Sequence, residues 1–240
     1  MNDIVNIISS SSGGNSYIYN KDILLDIGVN FKKIQPYIKD IKLVLLTHVH
    51  GDHLNKNTLK KLLYERPTIK IVCCFWLVDE LLKIGIDKKS IYVLELEKKY
   101  DLGKYIIEPI PAIHDKPNCG YKIMIKENNY KIFHITDTNS IDHIIAKDYN
   151  LYMIEANYTD EEELENRIKQ DYDNGLAFSH YERVKKTHLS QLKAYNWLQK
   201  NMNKNSEFVF LHEHVDKERK EENVERIWKN WSNIFKRWKN

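Results

Sequence analysis

Cysteine is scarce in this chain, and the three present, Cys73, Cys74 and Cys119, are odd in number and form no CxxC pair. That argues against a disulfide framework and a thiolate metal knuckle, and it suits a reducing cytoplasm. Glycine and proline are sparse, with 8 and 5 residues in 240, and neither an internal repeat nor a low-complexity linker interrupts the sequence. One domain over residues 1–240 is therefore expected. No apolar run approaches the roughly 20 residues a membrane span needs. The opening stretch reads as a strand over 3–8 and lacks the basic start and apolar core of a secretory signal, so a cytoplasmic location is expected. A strong excess of one charge is also missing: the formal net charge of +3 does not announce a nucleic-acid binder and does not exclude one.

What the chain does have is a concentration of ligand-type side chains. Between positions 47 and 53 run Thr47, His48, Val49, His50, Gly51, Asp52 and His53, directly after the apolar residues Leu43, Val44, Leu45 and Leu46. A strand that ends in a tight loop points alternate side chains at one centre, so His48 and His50 can converge on one cation. Gly51 is expected to let the chain turn, aiming Asp52 and His53 at a second position nearby. Imidazole and carboxylate together suit Zn, Mn or Fe without a thiolate.

Hydrophobic periodicity places these residues in an α/β frame. Short strands are expected over 3–8, 16–19 and 23–26, separated by a turn-rich stretch over 9–15, and a helix over 31–37. A strand over 42–46, an amphipathic helix with Leu59, Leu62 and Leu63 inward, a strand over 69–74 and a helix over 76–82 follow. The middle returns to strands over 91–96, 105–113, 121–125 and 130–135. Beyond a strand over 151–155 come an acidic helix from about Asp160, a helix over 189–198, a strand over 208–212 and a charged terminal helix. Two βαβ-like halves with a strand-rich middle predict two sheets sandwiched between helices. Loops at one edge of that sandwich are where ligands belong. His114, Asp137 and His212 each fall at the end of an expected strand, and a carboxylate such as Asp137 can bridge two cations with its two oxygens.

The HxHxDH signature formed by His48, His50, Asp52 and His53 resembles that of the metallo-β-lactamase superfamily. The resemblance implies a four-layer αβ/βα sandwich. It also implies one metal held by His48, His50 and His114 and another by Asp52, His53 and His212, with Asp137 bridging; His214 is an alternative to His212. A narrower resemblance is to the YycJ/WalJ-like branch, which includes bacterial and phage DNA-processing nucleases. It rests on Ser11, Ser12, Gly13, Gly14, Asn15 and Ser16; on Leu24 to Gly28; on Thr136, Asp137 and Thr138; on Glu155, Ala156 and Asn157; and on His188, Leu189 and Ser190. The chain departs from that branch at Tyr158 and Thr159, where His and Asp often follow Asn157, and at Thr187 and Gln191, where Gly and Asn often flank the His-Leu-Ser element.

The resemblance implies two divalent ions, Zn or Mn, and hydrolysis of a phosphodiester. In this reading Asp52 is both ligand and orienter of the attacking hydroxide, and His188 is the candidate proton donor to the leaving group, or else a residue that caps or packs before its helix. Asp26 and Glu155 read as carboxylates that orient ligating histidines. A basic, aromatic loop before His188, with His180 and Arg183, is a candidate grip for phosphates and a base, or an ordinary solvated loop. The terminal residues Val224, Ile227, Trp228, Trp231, Phe235 and Trp238 stand at helical spacing. They fit core docking first, then a homodimer contact, then a membrane surface. A DNA exonuclease is the leading expectation and a cyclic-nucleotide phosphodiesterase the alternative. Lactonase, thioesterase or β-lactamase chemistry and a non-catalytic binding module rank behind them.

Overall fold

Side-chain alternation decides how the chain stacks. The computed structural model describes residues 4–212; His214 and the expected terminal helix lie outside the described residues. Strands β1 (Val5–Ser11), β2 (Gly14–Tyr19), β3 (Ile23–Leu25), β4 (Leu43–Leu45), β5 (Lys70–Cys74) and β6 (Ile91–Leu94) form one sheet in that order. The first two junctions are antiparallel and the remainder parallel. Helices α1 (Phe31–Ile34), α2 (Lys56–Glu65) and α3 (Val78–Lys83) make the crossovers. The second sheet runs β12 (Glu207–Leu211), β11 (Leu151–Glu155), β10 (Tyr130–Ile135), β9 (Asn118–Ile125), β8 (Tyr105–Ala112), β7 (Tyr100–Leu102). Three helices, α4 (Glu161–Asp173), α5 (His180–Thr187) and α6 (Gln191–Asn201), lie between β11 and β12.

Three buried layers follow from the period of two along each strand. Leu24, Val44, Leu46, Ile71 and Cys73 face α2 and α3, together with Leu59, Leu62 and Leu81. Their neighbours Ile23, Leu25, Leu45, Val72 and Cys74 turn the other way, against Ile107, Tyr121, Ile123, Ile132, Leu151 and Met153 of the second sheet. On the far side Phe133, Ile135, Tyr152 and Ile154 meet Ala194, Trp197 and Leu198 of α6. The result is the α/β/β/α sandwich expected from the sequence. No helix among the described residues is long and apolar enough to cross a membrane.

The elements differ from expectation in four places. The serine-rich stretch is not a long turn, because β1 continues to Ser11 and pairs with Gly14 across a hairpin of only Ser12 and Gly13. The segment before His188 is helical, with Ser179 capping α5 through a hydrogen bond from Tyr181 N. Strand β7, three residues at the sheet edge, adds to the second sheet. The helix expected over 31–37 is α1 followed by a 3-10 turn, Gln35–Tyr37, in which Pro36 cannot donate an intrahelical hydrogen bond.

Strand direction gathers one edge of the sandwich. Strands β3, β4, β8, β10, β11 and β12 end there, and Asp26, the 47–53 loop, His114, Asp137, Glu155 and His212 stand at or just beyond those ends.

A candidate metal centre at the strand ends

The 47–53 loop is shaped by Asp26. This fully buried carboxylate accepts from Thr47 N at 2.9 Å, from Thr47 Oγ1 at 2.9 Å and from His53 Nδ1 at 2.6 Å, so the two ends of the loop are tied to one side chain. His53 N and Leu54 N both bond to His50 O, at 2.9 and 2.7 Å, which closes the turn. Gly51 is not what permits it, because its φ is not left-handed and a Cβ there would touch nothing within 4 Å. The demanding glycine is Gly28, where a Cβ would lie 1.6 Å from Asp52 O. Close backbone approach continues with Asn15 N to Asp52 O at 2.7 Å, Gly28 N to Asn15 O at 2.9 Å and Ile27 N to His53 O at 2.8 Å.

Three ligand groups meet at Asp137. One is His48, His50, His114 and Asp137; another is Asp52, His53 and Asp137; the third is Asp137, Glu155, His188 and His212; ligand atoms within each group lie within 4.8 Å of one another. In the first, His48 Nε2 stands 3.0 Å from His50 Nδ1, and His50 Nδ1 stands 3.4 Å from His114 Nε2. Asp137 Oδ2 is 3.4 Å from His48 Nε2, 3.8 Å from His114 Nε2 and 3.0 Å from His53 Nε2. His53 Nε2 is 3.7 Å from Asp52 Oδ2. Asp137 Oδ1 faces His212 Nδ1 at 2.7 Å. The structure thus brings together all seven residues expected as ligands, with His212 grouped beside Glu155 and His188.

The outward nitrogens have partners that fix ring orientation. His48 Nδ1 meets Thr47 Oγ1 at 3.0 Å, and His114 Nδ1 donates to Thr187 O at 3.0 Å. His50 Nε2 faces Asp115 Oδ1 at 3.3 Å, and His53 Nδ1 faces Asp26. Each leaves its remaining nitrogen pointing inward, the arrangement that ligating histidines use. Glu155 is fully buried, accepts from Thr138 N at 2.7 Å and faces His188 Nδ1 at 2.6 Å.

A cation fits this donor set. Tetrahedral ligand atoms about 2.0–2.1 Å from one ion stand roughly 3.3 Å apart, close to the separations of 3.0, 3.4, 3.4 and 3.8 Å within the first group. His212 Nδ1 is buried 2.7 Å from Asp137 Oδ1 and 3.4 Å from Glu155 Oε1, but neither carboxylate meets it with hydrogen-bond geometry, which leaves a buried donor atom aimed between two anions. Electrostatics agree. Burial, aided by the charge on His53, pushes His48 down to about 4, so its ring is neutral and its lone pair available. Burial opposes a proton on His53 and His212, but the adjoining Asp137 with Asp26 or Glu155 outweighs it, raising His53 well above its usual value and His212 to about 10. Burial also opposes charge on Asp137, yet His53 and the surrounding imidazoles hold it well below the carboxylate range.

Sequence reasoning missed the supports. Asn15 is fully buried, and its Nδ2 stands 2.9 Å from His53 Nε2 and 3.5 Å from Asp52 Oδ2. Its Oδ1 accepts from Tyr17 OH at 3.1 Å, and Tyr17 OH meets Ser10 Oγ, which accepts from His212 N at 2.8 Å. Asn157 Nδ2 donates to His212 O at 3.0 Å. Asp115 was also missed, although an acid directly after His114 is a visible signal. The element His188, Leu189, Ser190 divides its work: His188 faces Glu155, Leu189 enters the outer core and Ser190 caps α6 by accepting from Lys193 N. Of the expected substrate contacts, Arg183 reaches Asp115 Oδ2 at 3.0 Å, while His180 is exposed at the start of α5 and belongs to none of the three groups.

The sequence model described as a beta-lactamase superfamily domain matches residues 22–214. The chain belongs to the beta-lactamase superfamily. Among solved structures, the metallo-beta-lactamase fold protein YhfI from Bacillus subtilis superposes with a TM-score of 0.68 at 16% identity, covering 88% of this chain and 86% of that one. The short form of human tRNase Z gives 0.63 at 14% identity over 87% and 92%. Unliganded yeast PDE1 gives 0.62 at 11% identity over 88% of each. At those identities the superfamily fold is what is shared. No curated protein matches the chain in sequence.

Proposed function

We propose that this superfamily member is a two-metal phosphodiesterase acting on nucleic acid, with DNA exonuclease activity as the leading form. The observation that carries the reading is a proton-handling pair, Glu155 and His188, within the third ligand group. Glu155 Oε1 holds His188 Nδ1 at 2.6 Å, and the His188 ring centroid stands 5.0 Å from that of His212 and 5.6 Å from that of His114. Divalent cations, Zn or Mn, held by His48, His50 and His114 and by Asp52, His53 and His212 with Asp137 between, would supply Lewis acidity and water activation. Asp52 orients the attacking oxygen. With Glu155 fixing Nδ1, His188 has Nε2 left to protonate the departing oxygen, the step an unactivated phosphodiester needs. The fold likeness to a tRNase Z and to PDE1 is compatible with phosphodiester cleavage, and the preference for DNA rests on the resemblance of residues 11–16, 136–138, 155–157 and 188–190 to the YycJ/WalJ-like branch. Burial of Cys73, Cys74 and Cys119 as free thiols accords with a cytoplasmic setting.

The test is a hydrolysis panel with Mn- and Zn-loaded protein on end-labelled DNA and RNA and on cyclic mono- and dinucleotides, with Asp52→Ala as control. Progressive shortening of DNA, absent in the control, is expected. Intact polymers beside linearised cyclic nucleotides would replace this reading with a small-molecule phosphodiesterase. Within the panel, His188→Ala should lower kcat on DNA about 10²–10⁴-fold and cost far less on bis(p-nitrophenyl) phosphate, whose leaving group needs no proton. Equal losses on both would remove His188 from the donor role.

A further inference from the structure

We infer that Arg183, oriented by Asp115, binds the phosphate next to the scissile one, so that the site selects substrates with at least two neighbouring phosphodiesters over a lone cyclic mononucleotide. This rests on the phosphodiesterase reading above and narrows its substrate class. Asp115 lies directly after His114 and uses both oxygens. Oδ1 is 3.3 Å from His50 Nε2 and 3.2 Å from His114 Nε2, while Oδ2 accepts from Arg183 Nη2 at 3.0 Å. The guanidinium therefore stands one carboxylate away from the ligand nitrogen of His114 and from the outward nitrogen of His50. Neighbouring phosphates of one strand stand further apart than the roughly 3.4 Å axial rise per nucleotide, which suits a group set one carboxylate back from the ligand nitrogens, so the phosphate next to the scissile one comes within reach of this position.

Only one of the five N–H donors of Arg183 is used by that contact, and the side chain is 57% exposed. An arginine held by a carboxylate on one edge and open on the other is built for bidentate phosphate recognition. Its helix is anchored to the same loops: Thr187 O accepts from His114 Nδ1 at 3.0 Å and Lys186 O from Asn139 Nδ2 at 2.9 Å. Arg183 thus sits at a fixed distance from the chemistry rather than on a free loop. Exposed Lys186, one turn further along α5, and exposed Lys116, beside Asp115, extend the same positive rim. Asp115 neutralises part of that charge, which leaves Arg183 with direction rather than raw attraction.

The experiment compares wild type, Arg183→Ala and Arg183→Lys. Fluorescence anisotropy of metal-loaded protein with a labelled, hydrolysis-resistant phosphorothioate single-stranded oligonucleotide reads binding without turnover. Hydrolysis of the oligonucleotide and of bis(p-nitrophenyl) phosphate, which has one phosphate, reads selectivity. Arg183→Ala should weaken oligonucleotide binding about tenfold or more, equivalent to about 1.4 kcal/mol, and lower the salt slope of log K by about 0.7 for one lost phosphate contact. The ratio of kcat/KM for oligonucleotide to that for the model ester should fall at least tenfold. Arg183→Lys should restore the slope, since charge is kept, but only part of the affinity, since the fork is lost. Unchanged slope and ratio in Arg183→Ala would overturn this inference while leaving phosphodiesterase activity intact. A wild type that neither binds nor cleaves the oligonucleotide, yet hydrolyses a cyclic mononucleotide, would overturn it together with the nucleic-acid reading.

Discussion

Asp26, Asp137 and His212 hold left-handed backbones, with φ of 55°, 53° and 55°, and all three stand at strand ends beside the ligand groups. For residues with a Cβ that conformation costs roughly 1–2 kcal/mol each. Here it is imposed by the contacts that fix each side chain, the usual pattern where strain serves a site. His134 shows the same economy without strain. It is wholly buried between the sheets, its Nδ1 meets Tyr19 OH at 2.7 Å, its ring packs edge-on to Tyr17, and its Nε2 has no hydrogen-bond partner. Burial pushes its pKa from 6.5 down to about 3. Above pH 6.5 both folded and unfolded chains keep this ring neutral; below it the unfolded chain takes up a proton that the folded one refuses. Stability must therefore fall as pH drops from about 6.5 towards 3, by roughly 2 kcal/mol at pH 5 from this group alone. Urea unfolding of wild type and His134→Phe across that range checks it: the variant should lose less stability on acidification. Parallel curves would show that His134 does not resist protonation.

At the level of elements, the loop that carries Asp52 and His53 is held by backbone contacts from the β1–β2 hairpin and from the segment after β3. Gly14, at φ 147°, leaves no room for a side chain, since a Cβ would lie 2.5 Å from Gly28 O. Gly28→Ala drives a methyl into Asp52 O and cannot be relieved by a rotamer change. It should destabilise the chain by about 3 kcal/mol or more, whereas Gly51→Ala, with open space, should cost little, under about 1 kcal/mol. Thermal melts of both variants decide it, and equal losses would refute the assignment of Gly28 as the close-packed position. These contacts explain what was legible and what was not. The HxHxDH loop and the strand-end ligands were visible because strand-end position and residue type are local signals. The extension of β1 through Ser9, Ser10 and Ser11 was not, since three serines read as turn until β2 supplies partners. Helix α5 was hidden because only Val184 and Thr187 of its eight residues are buried, too few for an apolar stripe. Asn15 lay inside a motif, but nothing local says that its amide reaches the far loop at Asp52.

On the scale of the molecule, the ligand groups draw on both sheets. His48, His50, Asp52 and His53 follow β4 of the first; His114, Asp137 and His212 follow strands of the second. A cation that binds only the folded chain would clamp the sheets across the apolar layer they share. At a free concentration one hundred times its Kd it adds about 2.7 kcal/mol. For a domain of this size, at about 2–4 °C per kcal/mol, that raises Tm by roughly 5–10 °C. The gain must depend on pH, because His212, at about 10, and His53, raised well above 6.5, carry protons near neutrality that the cation has to displace. Higher pH lowers the cost of that displacement, so the gain in Tm at a fixed, low concentration of Mn or Zn should be larger at pH 8 than at pH 6. Adding EDTA should reverse it. Asp137→Asn removes the carboxylate common to all three groups and should abolish most of the gain. Melts of the two chains with and without metal at both pH values make the measurement. An unchanged gain in Asp137→Asn would place the cation elsewhere, and no gain in either chain would show that these residues do not hold one.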